Sequence, residues 1–313
     1  MDKLGAIFHP YIREKRIGAQ SSLQRFAHYT SADAATKILK NGEVWLRKSS
    51  VMNDFSEIEF GINCLLSAWN SPAGTRFKNL LGKVSSTLPQ EVEASFGNKI
   101  PAIRFNTFLS SISEHDEKEN KLGRLSMWRA YGNVALILNP AIFFVETNNA
   151  LQCYANPVSY HTLASFEVQF NEMVGRCEYD LDYLKGQGQA VLYTWVMFLL
   201  NQYAICTKHC GFSEEREWRI LHDPSPIASP LIRKEVEVVH NVAQPVVKLK
   251  LENLPELGVS NLNIASLVER IIIGPTQYPT VQREAFATLL EQNGVTDPYS
   301  RIEMSDIPLR QYS

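Results

Sequence analysis

The stretch Gly211-Phe212-Ser213-Glu214-Glu215-Arg216-Glu217-Trp218-Arg219-Ile220-Leu221 narrows the possible folds of this chain more than any other. It closely follows the strongest apolar run, Ala190 to Leu200, which is well short of the ~20 residues that span a bilayer and so reads as a core helix. On a strand, alternate side chains share a face. Glu215, Glu217 and Arg219 are therefore expected on one side, with Arg216, Trp218 and Ile220 on the other. If Trp218 and Ile220 are buried, two acids and a guanidinium stand on the opposite surface. Such a surface suits a polar ligand that develops positive charge, and it equally describes a salt-bridged edge strand.

The remaining patterns mix strands and helices without strict alternation, so the expected class is α+β. After a polar lead-in to about Ser22, Arg25 to Tyr29 reads as a strand, and Thr30 or Ser31 as the cap of a helix that ends at Asn41 and Gly42. A second strand is expected at Glu43 to Arg47. The spacing of Ile58, Ile62, Leu65, Leu66 and Trp69 predicts a helix over about 56–69. Further strands are expected at 103–112, 133–138, 151–160, 231–240, 246–251 and 268–273, with helices at 163–185, 189–210 and 279–293. The charged run Glu114 to Lys121 is expected to be a mobile loop.

Composition excludes some functions. Lys and Arg total 31 against 33 for Asp and Glu, so any nucleic-acid contact must be a local patch. Candidate patches are Arg13, Lys15 and Arg16; Arg76, Lys78 and Lys83; and Arg124 and Arg129. Five scattered cysteines favour free thiols in a reducing compartment. The N-terminus shows no apolar signal segment, so a cytoplasmic location without membrane association is expected.

Several positions could carry chemistry. His28-Tyr29-Thr30 ends a strand and opens a helix, which puts backbone N–H groups, a hydroxyl and an imidazole in one place. Thr107 to Ser113 partly alternates apolar and hydroxyl residues. Tyr131 could stack on a flat ring or be core. Asn53, Asp54, Glu57 and Glu59 form an acidic cluster that lacks a histidine partner for a metal. Cys206, His209 and Cys210 have C-x-x-H-C spacing, but Cys177 is the one other cysteine near them in sequence, so a four-ligand zinc site is not expected. P-loop, Rossmann and nucleophile-elbow motifs do not occur.

Three of these stretches together resemble the motifs of the ADP-ribosyltransferase fold. A first strand ends in His28-Tyr29-Thr30; a middle strand carries Phe108-Leu109-Ser110-Ser111-Ile112-Ser113; a late strand opens with Glu215-Arg216-Glu217. The chain is also similar to a bacterial family of uncharacterised proteins. Its marks correspond to His28–Thr30, Asn53–Glu57, Met127–Tyr131, Phe212–Arg219 and Ile271–Pro275. That family is in turn similar in kind to the DarT and CmdT toxins that modify nucleic acids.

The resemblance implies a split mixed β-sheet core over 1–225 with a helical insertion at about 163–210, and a C-terminal α/β extension over 226–313 packed on it. It implies NAD as co-substrate and no metal. His28 would hold a ribose hydroxyl, and Tyr29 and Thr30 the nicotinamide carboxamide, with Ser110 and Asn53 also binding the cofactor. Tyr131 or Tyr29 would stack on a ring. Glu217 would hold the ribose 2′-OH and stabilise the oxocarbenium-like state, while Glu215 would orient or deprotonate the acceptor. The acceptor would be RNA, DNA or protein, with nucleic acid favoured, and an antitoxin or immunity protein could accompany such a toxin or phage-defence effector. Where the Glu-x-Glu branch usually opens with arginine this chain has His28, so the acceptor class stays open. Two other classes remain: a non-catalytic nucleotide-sensing protein on the same fold, and a metal-dependent nuclease centred on Asp54, Glu57 and Glu59. The transferase expectation requires His28, Thr30 and Glu217 to meet in one crevice.

Overall fold

A computed structural model describes residues 2–51, 55–145, 150–239 and 241–307. Its architecture is mixed α+β, a multistranded sheet with interspersed helices. The strands in chain order are β1 (Arg25–Thr30), β2 (Glu43–Lys48), β3 (Phe108–His115), β4 (Val134–Leu138), β5 (Cys153–Pro157), β6 (Ser159–His161), β7 (Thr207–His209), β8 (Glu217–His222), β9 (Ile232–Val239), β10 (Val242–Lys250), β11 (Val268–Ile273) and β12 (Ile302–Met304). Among the described residues no helix is long and apolar enough to cross a membrane.

The chain divides into two compact units, each assembled from separated segments. One comprises residues 1–17, 48–107 and 156–213 and is mainly helical. The lead-in expected to be merely polar is helical here, Asp2–Phe8 and then Pro10–Ser21, with Leu4, Ile7 and Phe8 buried. Within this unit the helix Phe55–Trp69 lies against the helix Gln189–Ile205. Gly61 permits the approach, because a Cβ there would sit 2.3 Å from the Ala204 carbonyl oxygen. Residues 103–106, expected in a strand, end the helix Leu88–Asn106, in which Ile103 is a buried apolar position. The expected helix over 189–210 stops at Ile205, and Thr207–His209 pairs in parallel with Ser159–His161.

The other unit comprises 18–47, 108–155 and 214–313 and holds the large sheet. Its strands run β12-β11-β4-β1-β3-β2-β10-β9, with β8 joining β3 to β5. Residues 226–313 thus contribute four strands to the same sheet. β3 has three neighbours. β8 covers one edge from Leu109 to Ser113, so β1 and β2 must share the other. β1 pairs with β3 only from Arg25↔His115 to Ala27↔Ser113, although it follows β4 all the way to Thr30↔Val134. The sheet is split after Ala27.

Alternation sorts the side chains at the split. Phe26, Ile112 and Trp218 enter the large core, where the Phe26 and Trp218 rings lie 5.1 Å apart. On the other face Ala27, Tyr29, Ala135, Ile137 and Ile272 form a smaller cluster under Met127 and Trp128, from the helix Leu125–Tyr131. Two glycines let Trp128 seat: a Cβ on Gly274 or Gly123 would meet its ring at 2.8 or 2.2 Å. The Met127–Tyr131 and Ile271–Pro275 motifs therefore touch.

Candidate functional site

The three stretches that carry the resemblance lie side by side, since β1 and β8 flank β3. Antiparallel partners share a face. Ser113 opposes Glu217 and Ser111 opposes Arg219, so these four residues share the face of Ala27 and Tyr29. Their side chains are linked. The Ser111 hydroxyl donates to Glu217 Oε1 at 2.6 Å, and Arg219 Nε donates to the same oxygen at 3.0 Å. Glu217 is 4% exposed and Arg219 0%. The surface of charges expected behind Trp218 is therefore covered, and β8 is buried on both faces.

His28 belongs by alternation to the face of Phe26 and Thr30, opposite that of Glu217. The two residues nevertheless share one bonding partner, Ser111. Where β1 leaves β3, His28 Nδ1 lies 2.9 Å from the Ser111 carbonyl oxygen and takes the place a ladder N–H would fill. Glu217 holds the hydroxyl of that same serine. Burial lowers the His28 pKa, with the bond to Ser111 opposing it, so the neutral imidazole is favoured and Nδ1–H donates. Burial also pushes the Tyr29 phenol up to about 12. Tyr29 packs edge-on to Trp128 at 4.8 Å, and Tyr131 packs against the same cluster.

The other expected site residues distribute as follows. Ser31 caps the helix Ala32–Asn41, with its hydroxyl accepting from the Ala34 N–H at 3.2 Å, so the Thr30 hydroxyl is not needed as the cap. Ser110 opposes Ile220 on the face opposite Glu217 and is 5% exposed. Ser111, which the sequence reading did not single out, is the serine that touches Glu217. Glu215 ends a 3-10 helix, Cys210–Glu215, rather than lying on the strand, so it does not join the alternation of Glu217 and Arg219. Asn53 and Asp54 lie outside the described residues. Glu57 is bonded by the buried Lys208 at 2.6 Å, and Glu59 by Arg104 at 2.6 and 3.0 Å. Among the described residues no group of three His, Cys, Asp or Glu side chains is placed to hold a metal ion.

A larger polar network also went unpredicted. The run Glu114 to Lys121, expected to be a mobile loop, is the end of β3 followed by a short 3-10 helix, Glu117–Glu119, closed by a capping box. Arg124 and Arg216 fasten it. Arg216 Nη1 and Nη2 donate to Asp116 Oδ2 and Glu119 Oε2, each at 2.7 Å. Burial alone would raise the Asp116 and Glu119 carboxyls, but Arg216 and Lys118 hold Asp116, and Arg124 and Arg216 hold Glu119, below their ordinary values. The only sequence signal was the density of charge from 114 to 124, which equally describes a solvated loop.

No family model, curated protein or solved structure matches the chain.

Proposed function

We propose that the chain is an NAD-dependent mono-ADP-ribosyltransferase acting on a macromolecular acceptor, with nucleic acid favoured over protein, in a toxin or phage-defence role. One observation carries this: a histidine and a carboxylate from two strands bond the same residue, His28 at the Ser111 carbonyl and Glu217 at its hydroxyl, where β1 and β2 divide one edge of β3. A split of that kind supports the split mixed sheet that the resemblance implies.

In this reading the bond between ribose C1′ and the nicotinamide nitrogen breaks, and its electron pair leaves on nicotinamide. Positive charge develops on the ribose, where Glu217 stabilises it and accepts from the 2′-OH. Ser111 and Arg219 keep that carboxylate oriented. His28 and Thr30 hold the ribose and the carboxamide. The acceptor atom bonds to C1′ and gives its proton to Glu215.

A second reading rests on the near-complete burial of Glu217 against Arg219. Such a pair also fits a structural role in a non-catalytic, nucleotide-sensing protein on the same fold.

Incubating the purified protein with NAD, with and without RNA, DNA or lysate protein, and assaying free nicotinamide separates the readings. Chelator-resistant release with ADP-ribose transferred to RNA is expected. NAD binding without release would select the sensor, and nucleic-acid cleavage that needs magnesium would select the nuclease.

A further inference from the structure

Arg124 uses its whole guanidinium inside the protein. Nη1 donates to the Ser113 hydroxyl at 2.6 Å and to the Glu215 carbonyl at 2.9 Å. Nη2 donates to the Glu114 carbonyl at 2.7 Å and to Glu119 Oε2 at 3.2 Å, and Nε donates to Glu119 Oε1 at 2.9 Å. A guanidinium carries five N–H donors, and each has an acceptor here. Arg124 is therefore not available as the phosphate contact the sequence suggested.

Its acceptors all surround one turn. The Ser113 hydroxyl also donates to the Glu215 carbonyl, and the Glu114 N–H donates to the Arg216 carbonyl at 3.0 Å. Between them Arg216 holds φ +45°, a left-handed conformation costly for a side chain of this size. Backbone of this kind persists when its surroundings over-determine it. The next residue is Glu217, the first of β8, already in register with Ser113. A change of turn at Arg216 would shift every later side chain of β8, because one residue of slip exchanges the two faces.

We infer that Arg124 is a positioning residue, whose fork grips the Glu215 carbonyl, the Ser113 hydroxyl and Glu119 so that the turn at Arg216 delivers the Glu217 carboxylate to Ser111 and Arg219. Arg124 acts through backbone and through Glu119, and does not touch a reacting atom. Lysine cannot replace it, because one ammonium cannot span acceptors on both sides of the planar fork. The catalytic consequence rests on the transferase reading; the geometric one does not.

The test is Arg124→Lys in the full chain, read two ways. Amide exchange of the peptide spanning 213–219 should speed up by about tenfold or more, while the peptide covering β11 stays protected as in the wild type. In the nicotinamide assay kcat should fall by about 100-fold with KM for NAD changed by less than about threefold, the signature of a misplaced rather than missing group. Millimolar guanidinium should restore part of the kcat of Arg124→Ala, which a general loss of stability would not allow. Should either Arg124 variant fail to fold, Ser113→Ala carries the same two measurements, because it removes one acceptor of the fork while leaving the Glu119 contacts to Arg124 and Arg216 in place. Unchanged exchange at 213–219, or kcat within about twofold of an active wild type, overturns the inference. If the wild type releases no nicotinamide, the transferase reading fails and the exchange measurement alone decides whether Arg124 sets the turn.

Discussion

Glu217→Gln is the obvious substitution, and its effect on folding has to be known before any loss of activity can be interpreted. Glu217 and Arg219 are buried together, Nε to Oε1 at 3.0 Å, with 4% and 0% exposure. Removing one charge of a buried pair typically costs about 3–5 kcal/mol, because the remaining charge stays desolvated. Gln keeps the shape and can still accept from Ser111 and Arg219, so we expect the low end, about 3 kcal/mol. A domain of ordinary stability, about 5–15 kcal/mol, survives that loss. Arg219→Met should cost at least as much, since it strands the Glu217 carboxylate. The double substitution should cost less than the two singles together by about 2 kcal/mol, as neither charge is then left alone. Urea unfolding read by amide exchange of β3 and β8 peptides measures this within one unit. With a urea m-value near 3 kcal/mol per molar, the single substitution should move the midpoint by about 1 M. Costs that add to within about 0.5 kcal/mol would show the two side chains to be uncoupled, and the account of how Glu217 is held would be wrong. If the coupling is found, loss of nicotinamide release in folded Glu217→Gln, by about 100-fold or more, can be attributed to the lost charge rather than to unfolding.

Three other outcomes are expected. Gly61→Ala should destabilise the helical unit by about 1–3 kcal/mol in thermal melts, because its Cβ would meet the Ala204 carbonyl at 2.3 Å; an unchanged melting temperature would show that the two helices are not so close. Gly132→Ala should be worse tolerated than an ordinary surface change, since φ is +130° and its Cβ would lie 2.5 Å from the Thr30 carbonyl; soluble, fully stable protein would contradict the backbone described at the end of β1. Stability should fall as pH drops from about 6.5 towards 4. Burial lowers the pKa of His9 to about 4, and burial also lowers His28 and His115, so over that window the unfolded chain binds more protons than the native one. For His9 alone the gap from 6.5 to about 4 is worth at most about 3–4 kcal/mol at 1.36 kcal/mol per pH unit. A His9→Phe variant whose acid sensitivity equals that of the wild type would remove His9 from this explanation.

Local signals in the chain were enough for the mixed class and for most elements, because periodicity and capping act over a few residues. The Ile38–Leu39 face, the Ser31 cap and the left-handed Gly42 locate one helix, and the continuous apolar run of Val134 to Leu138 marks a strand buried on both sides. The carboxylates at 215 and 217 and the histidine at 28 were visible as candidate chemistry, but their relation was not. That relation depends on which edge of β3 each strand takes, and pairing between residues 83 or 106 positions apart leaves no trace in local spacing. Only the folded sheet decided that Ser111 rather than Ser110 meets Glu217, and that Arg219 lies buried beside it. The run from Glu114 to Lys121 shows the same limit from the other side. Its charge density reads as solvated loop until Arg124 folds back onto it and Arg216 arrives from far along the chain, and charges satisfied by such partners can be ordered where the same charges alone would remain in water.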